Sequence, residues 1–192
     1  GAGSWTNATD VANATYTAGA SESGSITLTL TTTGSSCTAV TATKNITVNA
    51  NPTASASTST GTVCEDATIS LTGGASGGSG GGYSYSWSGP SSYSSSDQSP
   101  TISSDATTAM AGSYLLTVTD GNTCSSASSS TSITVNQNPT ANAGDVMSAI
   151  CQGATSAVMN GITAGGATGG TWSGGAGSWT NATDVANATY TA

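Results

Sequence analysis

The side chains that could do chemistry in this 192-residue chain are nine carboxylates, four cysteines and one lysine, with no histidine and no arginine. Without histidine, the sequence cannot supply a Ser-His-Asp or Cys-His nucleophile. Glu65 and Asp66 are the only adjacent carboxylates. Neighbours on an extended chain point to opposite faces, which does not suit paired acid and base catalysis. We therefore predict that the chain is not an enzyme.

The same carboxylates are candidates for calcium ligands. Calcium binds about six to eight oxygens from carboxylates, side-chain amides and backbone carbonyls. Glu65 with Asp66, and Asp120 with Asn122 in an Asp-Gly-Asn sequence, offer such oxygens. The alternative is that Asp120 and Asn122 only make turn hydrogen bonds, which is what these residue types commonly do. We favour the turn and predict no metal site and no cofactor.

The four cysteines occur without histidine and without a C-x-x-C motif, so we predict disulfides rather than metal ligands. Cys37 and Cys124 are 87 residues apart, and so are Cys64 and Cys151. This spacing favours a Cys64–Cys124 bridge, and a matching bridge from Cys151 to the Cys37 of the next sequence repeat. A bridge between neighbouring modules, from Cys64 to the next Cys37, stays open. Disulfides indicate an oxidising, extracellular location.

The charge of the chain excludes several classes of partner. The formal net charge is −8, and Lys44 is the single basic residue. Binding to nucleic acid or to anionic membrane surfaces needs clustered Lys and Arg, which this chain lacks. No apolar run approaches the roughly 20 residues that span a bilayer. We predict neither nucleic-acid binding nor membrane insertion.

Two sequence periods set the domain organisation. Residues 1–18 recur unchanged at 175–192, an offset of 174. Half of that offset, 87 residues, relates 45–56 to 132–143, which share ITVN-x-NPTA. The chain is thus predicted to hold the C-terminal part of a module B (1–50), a complete module A (51–137) and the N-terminal part of the next module B (138–192). We expect each part of module B to be completed by a neighbouring copy.

The composition predicts β-structure throughout. Ser and Thr are abundant, whereas strong helix formers are scarce. Aromatic residues alternate with serine in 83–88, and apolar residues alternate in 113–119, as in half-buried strands. Residues 73–82 are predicted to form a flexible Gly/Ser loop, and Asp120-Gly-Asn122 a hairpin turn with Gly or Asn at positive φ. The predicted core aromatics are Tyr83, Tyr85, Trp87, Tyr114, Trp172 and Trp179.

Six or seven short strands per module predict tandem immunoglobulin-like β-sandwiches. Because Pro fixes its own φ and restricts the residue before it, the Asn-Pro junctions are expected to be semi-rigid and to extend the modules into a filament. A set of carbohydrate-binding modules from a secreted enzyme is an alternative, for which Tyr93 is the candidate exposed contact. A homopolymer of separate subunits joined by strand exchange is another.

Three sequence segments carry a family resemblance: YSYSWS at 83–88, AGSYLLTVTDGNTC at 111–124 and CEDATISLTGG at 64–74. They resemble the SprB-type and PKD-like immunoglobulin-fold repeats of giant Bacteroidota cell-surface adhesins. Module B departs from this pattern, with GTWSGGAGSW at 170–179. The resemblance implies a very long adhesin that is exported by type IX secretion and acts in attachment or gliding motility. The implied partners are neighbouring repeats and an external surface or polysaccharide.

Overall fold

The structure of the protein is a computed structural model that describes residues 3–34 and 37–192. The described residues form short strands and two single-turn 3-10 helices, Pro90–Ser92 and Thr108–Met110. Neither helix has the length and apolarity to cross a membrane. The strands are β1 (Ser4–Thr6), β2 (Thr15–Thr17), β3 (Gly24–Thr31), β4 (Thr41–Val48), β5 (Pro52–Thr58), β6 (Thr62–Cys64), β7 (Ile69–Gly77), β8 (Ser84–Ser88), β9 (Ser94–Ser95), β10 (Thr101–Ser103), β11 (Gly112–Thr119), β12 (Ser129–Asn136), β13 (Pro139–Asn142), β14 (Ile162–Gly165), β15 (Ser178–Thr180) and β16 (Thr189–Thr191).

The middle of the chain forms two sheets with the strand order of an immunoglobulin-like sandwich. One sheet has the order β10-β7-β5 and the other β6-β12-β11-β8-β9. A short edge strand, β6, runs parallel to the last strand, β12. The remaining strands form four two-stranded sheets: β1-β2, β3-β4, β13-β14 and β15-β16. The predicted all-β fold class is confirmed, and strands β5 to β12 form one immunoglobulin-like sandwich.

Backbone contacts divide the chain into two compact units, one made of residues 1–59, 70–100 and 113–131, the other of 60–69, 101–112 and 132–192. In the first unit, the two sheets meet at Gly73 on β7. A Cβ built on Gly73 would lie 3.1 Å from Leu116 of β11 and 3.2 Å from Trp87 of β8. Trp87, Tyr114 and Leu116 are fully buried there. The tryptophan that the alternating pattern places in the core thus fills the space between the sheets.

The predicted flexible loop 73–82 is wrong over its first half, because β7 continues to Gly77. Gly73 donates its N–H to the Gln98 carbonyl, and Gln98 returns its side-chain amide to the Gly73 carbonyl. The Trp87 ring lies against the same backbone. Glycine is needed here because a side chain would collide with that ring and with the Gln98 carbonyl, so the glycines mark close packing rather than flexibility.

The turn between β11 and β12 forms where predicted, but through a different residue. Asp120 and Cys124 close it with a 2.9 Å backbone hydrogen bond, and Thr119 bridges Ser125. Thr123, with φ of 63°, is the residue in the left-handed region. The expectation that Gly121 or Asn122 would take positive φ is therefore incorrect.

Two hairpin sheets precede this sandwich in the sequence. β1 pairs with β2, and Trp5 lies opposite Tyr16. β3 pairs with β4 over eight residue pairs, one of which is Ile26 with Ile46. Both sheets leave large apolar side chains accessible, including Trp5, Leu30 and Ile46. β3 and β4 therefore form a paired sheet that has a solvent-accessible apolar face.

In the second unit, the edge strand β6 pairs with the end of β12, with Cys64 opposite Asn136. Ala106 exchanges backbone hydrogen bonds with Asp66 and Ala67, and its side chain is buried. These bonds fix the turn that follows β6. Ile133 and Val135 are buried on β12.

The C-terminal part of the second unit contains two more hairpins. β13 pairs with β14, and β15 pairs with β16 in the register Trp179 opposite Tyr190. The backbone of 156–161 donates hydrogen bonds to the carbonyls of Tyr190, Ala188, Ala186 and Val185. Trp172 stacks on Trp179 with ring centroids 6.0 Å apart. These contacts cover one side of the β15-β16 hairpin.

Candidate functional site

Asp120 holds two loops together and does not face a cation site. Its side chain is 4% exposed. One carboxylate oxygen accepts the N–H groups of Ser79 and Gly80 at 3.1 and 3.3 Å, and the other accepts those of Asn122 and Cys124 at 3.0 Å each. Both oxygens are thus aimed at backbone donors, which fits the turn interpretation rather than a calcium ligand.

The electrostatics of Asp120 follow from this arrangement. Burial acts to raise the pKa of the carboxyl, but the N–H groups of Cys124, Ser79, Gly80 and Asn122 favour the charged form and bring the pKa below its ordinary 3.8. Among the residues that the structure describes, no group of three or more Cys, Asp and Glu side chains could hold a metal ion.

Glu65 and Asp66 converge on Asn138, which precedes Pro139 and is the first residue after module A. The Glu65 carboxylate accepts the Asn138 backbone N–H at 3.1 Å. The Asn138 side-chain amide donates to the Asp66 carboxylate at 2.9 Å and to the Glu65 carbonyl at 3.3 Å. Both carboxylates therefore bind one asparagine, and we call this group of three residues the junction clamp.

The junction clamp depends on a backbone turn that the sequence analysis missed. Glu65 and Asp66 were expected to point to opposite faces of an extended chain. Instead, Asp66 has φ of 65°, and the Ala67 N–H closes a turn onto the Cys64 carbonyl at 3.3 Å. The turn brings both acidic side chains to the Asn138 side. No local pattern links residues 72 positions apart, so only the fold reveals the clamp.

The corresponding turn in module B keeps the backbone but not the charges. Gln152 and Gly153 stand 87 residues after Glu65 and Asp66. Gly153 has φ of 80°, and the Ala154 N–H closes the same turn onto Cys151 at 3.0 Å. Of these two turns, only the one in module A carries a pair of carboxylates.

The structure does not contain the Cys64–Cys124 bridge that the 87-residue spacing predicts, and the bridge from Cys151 to the Cys37 of the next repeat stays a prediction. All four are free: Cys37, Cys64, Cys124 and Cys151. Cys64 lies opposite Asn136, the last residue of β12, whereas Cys124 comes five residues before its first residue, Ser129. An eight-residue strand is about 25 Å long, and a disulfide needs Cα atoms within about 7 Å. The Cys64–Cys124 pair is therefore not supported, and a bridge from Cys64 to a Cys37 of the next copy stays a prediction.

The predicted core aromatics divide into two groups. Trp87 and Tyr114 are fully buried. Tyr83, Tyr85, Trp172 and Trp179 are only half-buried. Tyr93, the candidate surface contact, is also half-buried. Its ring packs edge-on against Tyr114 with centroids 5.6 Å apart, and burial raises the pKa of its phenol.

Comparisons with known proteins return immunoglobulin-domain structures. No protein-family model matches the sequence, and neither does any curated protein. A segment of three immunoglobulin domains of titin aligns with 99% of this chain and 70% of its own at 14% identity, with a TM-score of 0.43. The amphioxus IgVJ-C2 molecule aligns over 63% of this chain and 65% of its own at 17% identity and a TM-score of 0.39.

The N-terminal four immunoglobulin domains of Dscam1 align over 62% of this chain and 28% of that chain, at 19% identity and a TM-score of 0.37. This chain thus spans less than two thirds of both the amphioxus and the Dscam1 chains. At these scores the likeness carries no argument of its own, and the fold is taken from the strand order of the two sheets.

Proposed function

We propose that this chain is a repeat segment of a very long bacterial cell-surface adhesin, in which tandem modules form a stalk and a multivalent adhesive surface for attachment or gliding. The observation that carries the proposal is the identity of 1–18 and 175–192. Both copies fold into a hairpin with one register, Trp5 opposite Tyr16 and Trp179 opposite Tyr190. A segment that recurs with the same sequence and the same hairpin is typical of a tandem-repeat protein.

The junction clamp supports a mechanical role. A stalk transmits position only when its modules are joined by stiff connections, and Gly/Ser tethers would not provide this. Asn138 makes three hydrogen bonds to Glu65 and Asp66, and Pro139 follows it directly. The connection out of module A is therefore held by side chains as well as by the restricted backbone of proline.

The surface chemistry supports a passive, extracellular role. Outward positions along β11 and β12 are mostly serine and threonine, and charged residues make up 5% of the chain. Such a surface hydrates the stalk without charge. Weak contacts to an external surface or polysaccharide, repeated along many modules, would add through multivalency.

Two measurements on source cells test this proposal. An antibody against the repeat, used after denaturing and reducing electrophoresis, should detect a band of hundreds of kilodaltons. A single band near the 18.3 kDa mass of this chain would contradict the array and favour separate subunits. The same antibody should label intact, unpermeabilised cells, and labelling only after permeabilisation would contradict the surface location.

A further inference from the structure

The sheet formed by β3 and β4 has an apolar face that its counterpart in module A buries completely. Ile26, Leu28 and Leu30 alternate along β3 as Tyr114, Leu116 and Val118 alternate along β11. The β11 residues are fully buried, whereas Leu30 is 47% exposed. On β4, Ile46 is 40% exposed, and Ile133, which stands 87 residues later, is 2% exposed. The apolar face of the β3-β4 sheet is therefore less completely covered than the matching face of β11 and β12.

Residues 138–192 contain an open groove of complementary character. The groove has a volume of about 550 Å³, and Val146, Met147, Ile150, Val158 and Ile162 are among its lining residues. Val158 stands 87 residues after Leu71, which is fully buried on β7. Val158 is 40% exposed. At Val158 the groove is thus lined by a side chain whose counterpart lies in the core of the complete module A.

Module A shows how the two surfaces fit. The Ala56 N–H donates to the Ser129 hydroxyl at 3.0 Å, and Thr62 pairs with Thr134. The chain from β5 to β6 therefore runs beside β12 in the same direction, and Thr58 and Thr131 each lie between these two contacts. Asp145 stands 87 residues after Thr58, and Lys44 stands 87 residues before Thr131. These two residues therefore occupy the corresponding positions in module B.

Charge complementarity supports the same alignment. Lys44 is the only basic residue of the chain and lies opposite Leu28 on the β3-β4 sheet. Asp145 lines the groove. A lone lysine on an apolar face and an aspartate in the apolar groove are explained together if the two meet.

We propose that the β3-β4 face of one copy of this chain docks into the 138–192 groove of a second copy, with Lys44 paired to Asp145. Docking completes a module B sandwich from two copies. The inference rests on the proposed function, because an array places these two parts next to each other along one polypeptide. The docking is tested on the purified chain alone, whereas the array and its surface location are tested on source cells. Either proposal can therefore fail while the other holds.

The test begins with self-association of the purified 192-residue chain under reducing conditions, which excludes disulfide exchange. Sedimentation velocity should show head-to-tail oligomers that grow with concentration. Leu28→Asp, which blocks the β3-β4 face, should stop growth, and so should Val158→Asp, which blocks the groove. The matched controls Thr29→Asp on β3 and Thr180→Asp on β15, both at exposed positions outside the groove lining, should still oligomerise. A wild-type chain that stays monomeric, or oligomers that persist in both blocked variants, would overturn the proposal.

Mixing the two blocked variants guards against simple unfolding. The Val158→Asp chain keeps its β3-β4 face, and the Leu28→Asp chain keeps its groove, so a mixture should form 1:1 dimers that grow no further. Failure of the mixture to dimerise, when circular dichroism shows that both variants retain their strands, would overturn docking.

Charge reversal in this dimer tests the alignment. Lys44→Glu in the Val158→Asp chain should weaken the dimer about tenfold, and Asp145→Lys in the Leu28→Asp chain should do the same. The two reversals together should restore the affinity to within about threefold, as an ion pair of opposite polarity forms. If the two reversals together weaken the dimer by the product of their separate effects, the Lys44–Asp145 pair is contradicted.

Discussion

Residues 1–18 and 175–192 have one sequence and one hairpin but two environments. In both copies the tryptophan and tyrosine rings pack at 5.2 Å between centroids, with interplanar angles of 58° and 55°. In both, the loop is closed by an aspartate, Asp10 or Asp184, that accepts hydrogen bonds from the asparagine three residues later. The hairpin therefore forms from its own residues.

The burial of the two copies differs because only the second is covered by the segment that precedes it. Val11 is 71% exposed, whereas the equivalent Val185 is half-buried. Ala188 is fully buried, whereas the equivalent Ala14 is partly accessible. The cover consists of backbone and ring contacts from 154–172. Local sequence thus encodes the hairpin, and contacts from residues 154–172 bury its side chains.

The largest expected difference between the copies comes from a charge at the buried alanine. Ala188→Asp should lower the local stability of 138–192 by about 3 kcal/mol, because it buries a carboxylate without a partner. The measurement is amide exchange at Met159 and Trp172, whose N–H groups bond to the Ala188 and Ala182 carbonyls. Ala14→Asp is the matched control and should change exchange in 3–18 by less than about 1 kcal/mol. Equal losses in the two variants would contradict the greater burial of the second hairpin.

The next effect should come from the tryptophan. Trp179→Ala removes the ring that stacks on Trp172 and packs against Tyr190. We expect a loss of about 2–3 kcal/mol in denaturant unfolding of the C-terminal hairpin region, because a large half-buried side chain loses its contacts. Trp5→Ala, whose ring is 46% exposed, should cost about 1 kcal/mol. The reverse order of effects would contradict the account.

A change in the cover itself should affect one copy and spare the other. A Cβ on Gly161 would lie 2.6 Å from the Trp172 ring and 2.9 Å from the Val185 carbonyl. Gly161→Ala should therefore destabilise the covered hairpin by about 2 kcal/mol. The N-terminal hairpin serves as the internal control, and its exchange rates should be unchanged. A variant that loosens both hairpins together would show that the cover is not specific to the second copy.

The smallest difference is expected at the loop aspartates, where the copies should agree. The Asn13 side chain, and likewise that of Asn187, lowers the pKa of Asp10 and Asp184 below 3.8. Because the folded-state pKa is depressed, the stabilisation is present above about pH 4 and is lost as the pH falls through the folded-state value. Carboxyl titration by NMR should give overlapping curves for the two residues. Curves that differ clearly would mean that the cover also reaches the loop.

The sequence predicts the strands of module A well, because alternation in 113–119 reports directly which side chains face the core. It fails at Gly73, where composition indicates flexibility and the packing of Trp87 demands a residue without a side chain. It also fails at Thr123, which takes positive φ in the turn that the Asp120–Cys124 backbone hydrogen bond closes, although its residue type does not favour that conformation.

The functional features were harder to predict because they depend on distant pairs. The junction clamp joins residues that are separated by most of module A. The equal spacing of the cysteines suggested a bridge within the module, yet spacing does not tell at which end of β12 each thiol lies. The 87-residue repeat, by contrast, was informative, because it matches residues of 1–50 and of 138–192 to positions whose burial is known in module A.

The most direct test of the account is to give the first hairpin the cover that the second one has. Residues 138–174 would be placed ahead of residue 1, which continues the repeat upstream. The amide of Tyr16 would then be compared with that of Tyr190, whose N–H donates to the Ser156 hydroxyl at 3.0 Å. We expect exchange of the Tyr16 amide to slow to the rate of Tyr190. An unchanged Tyr16 rate would contradict the claim that the two ends of this chain are parts of one kind of module.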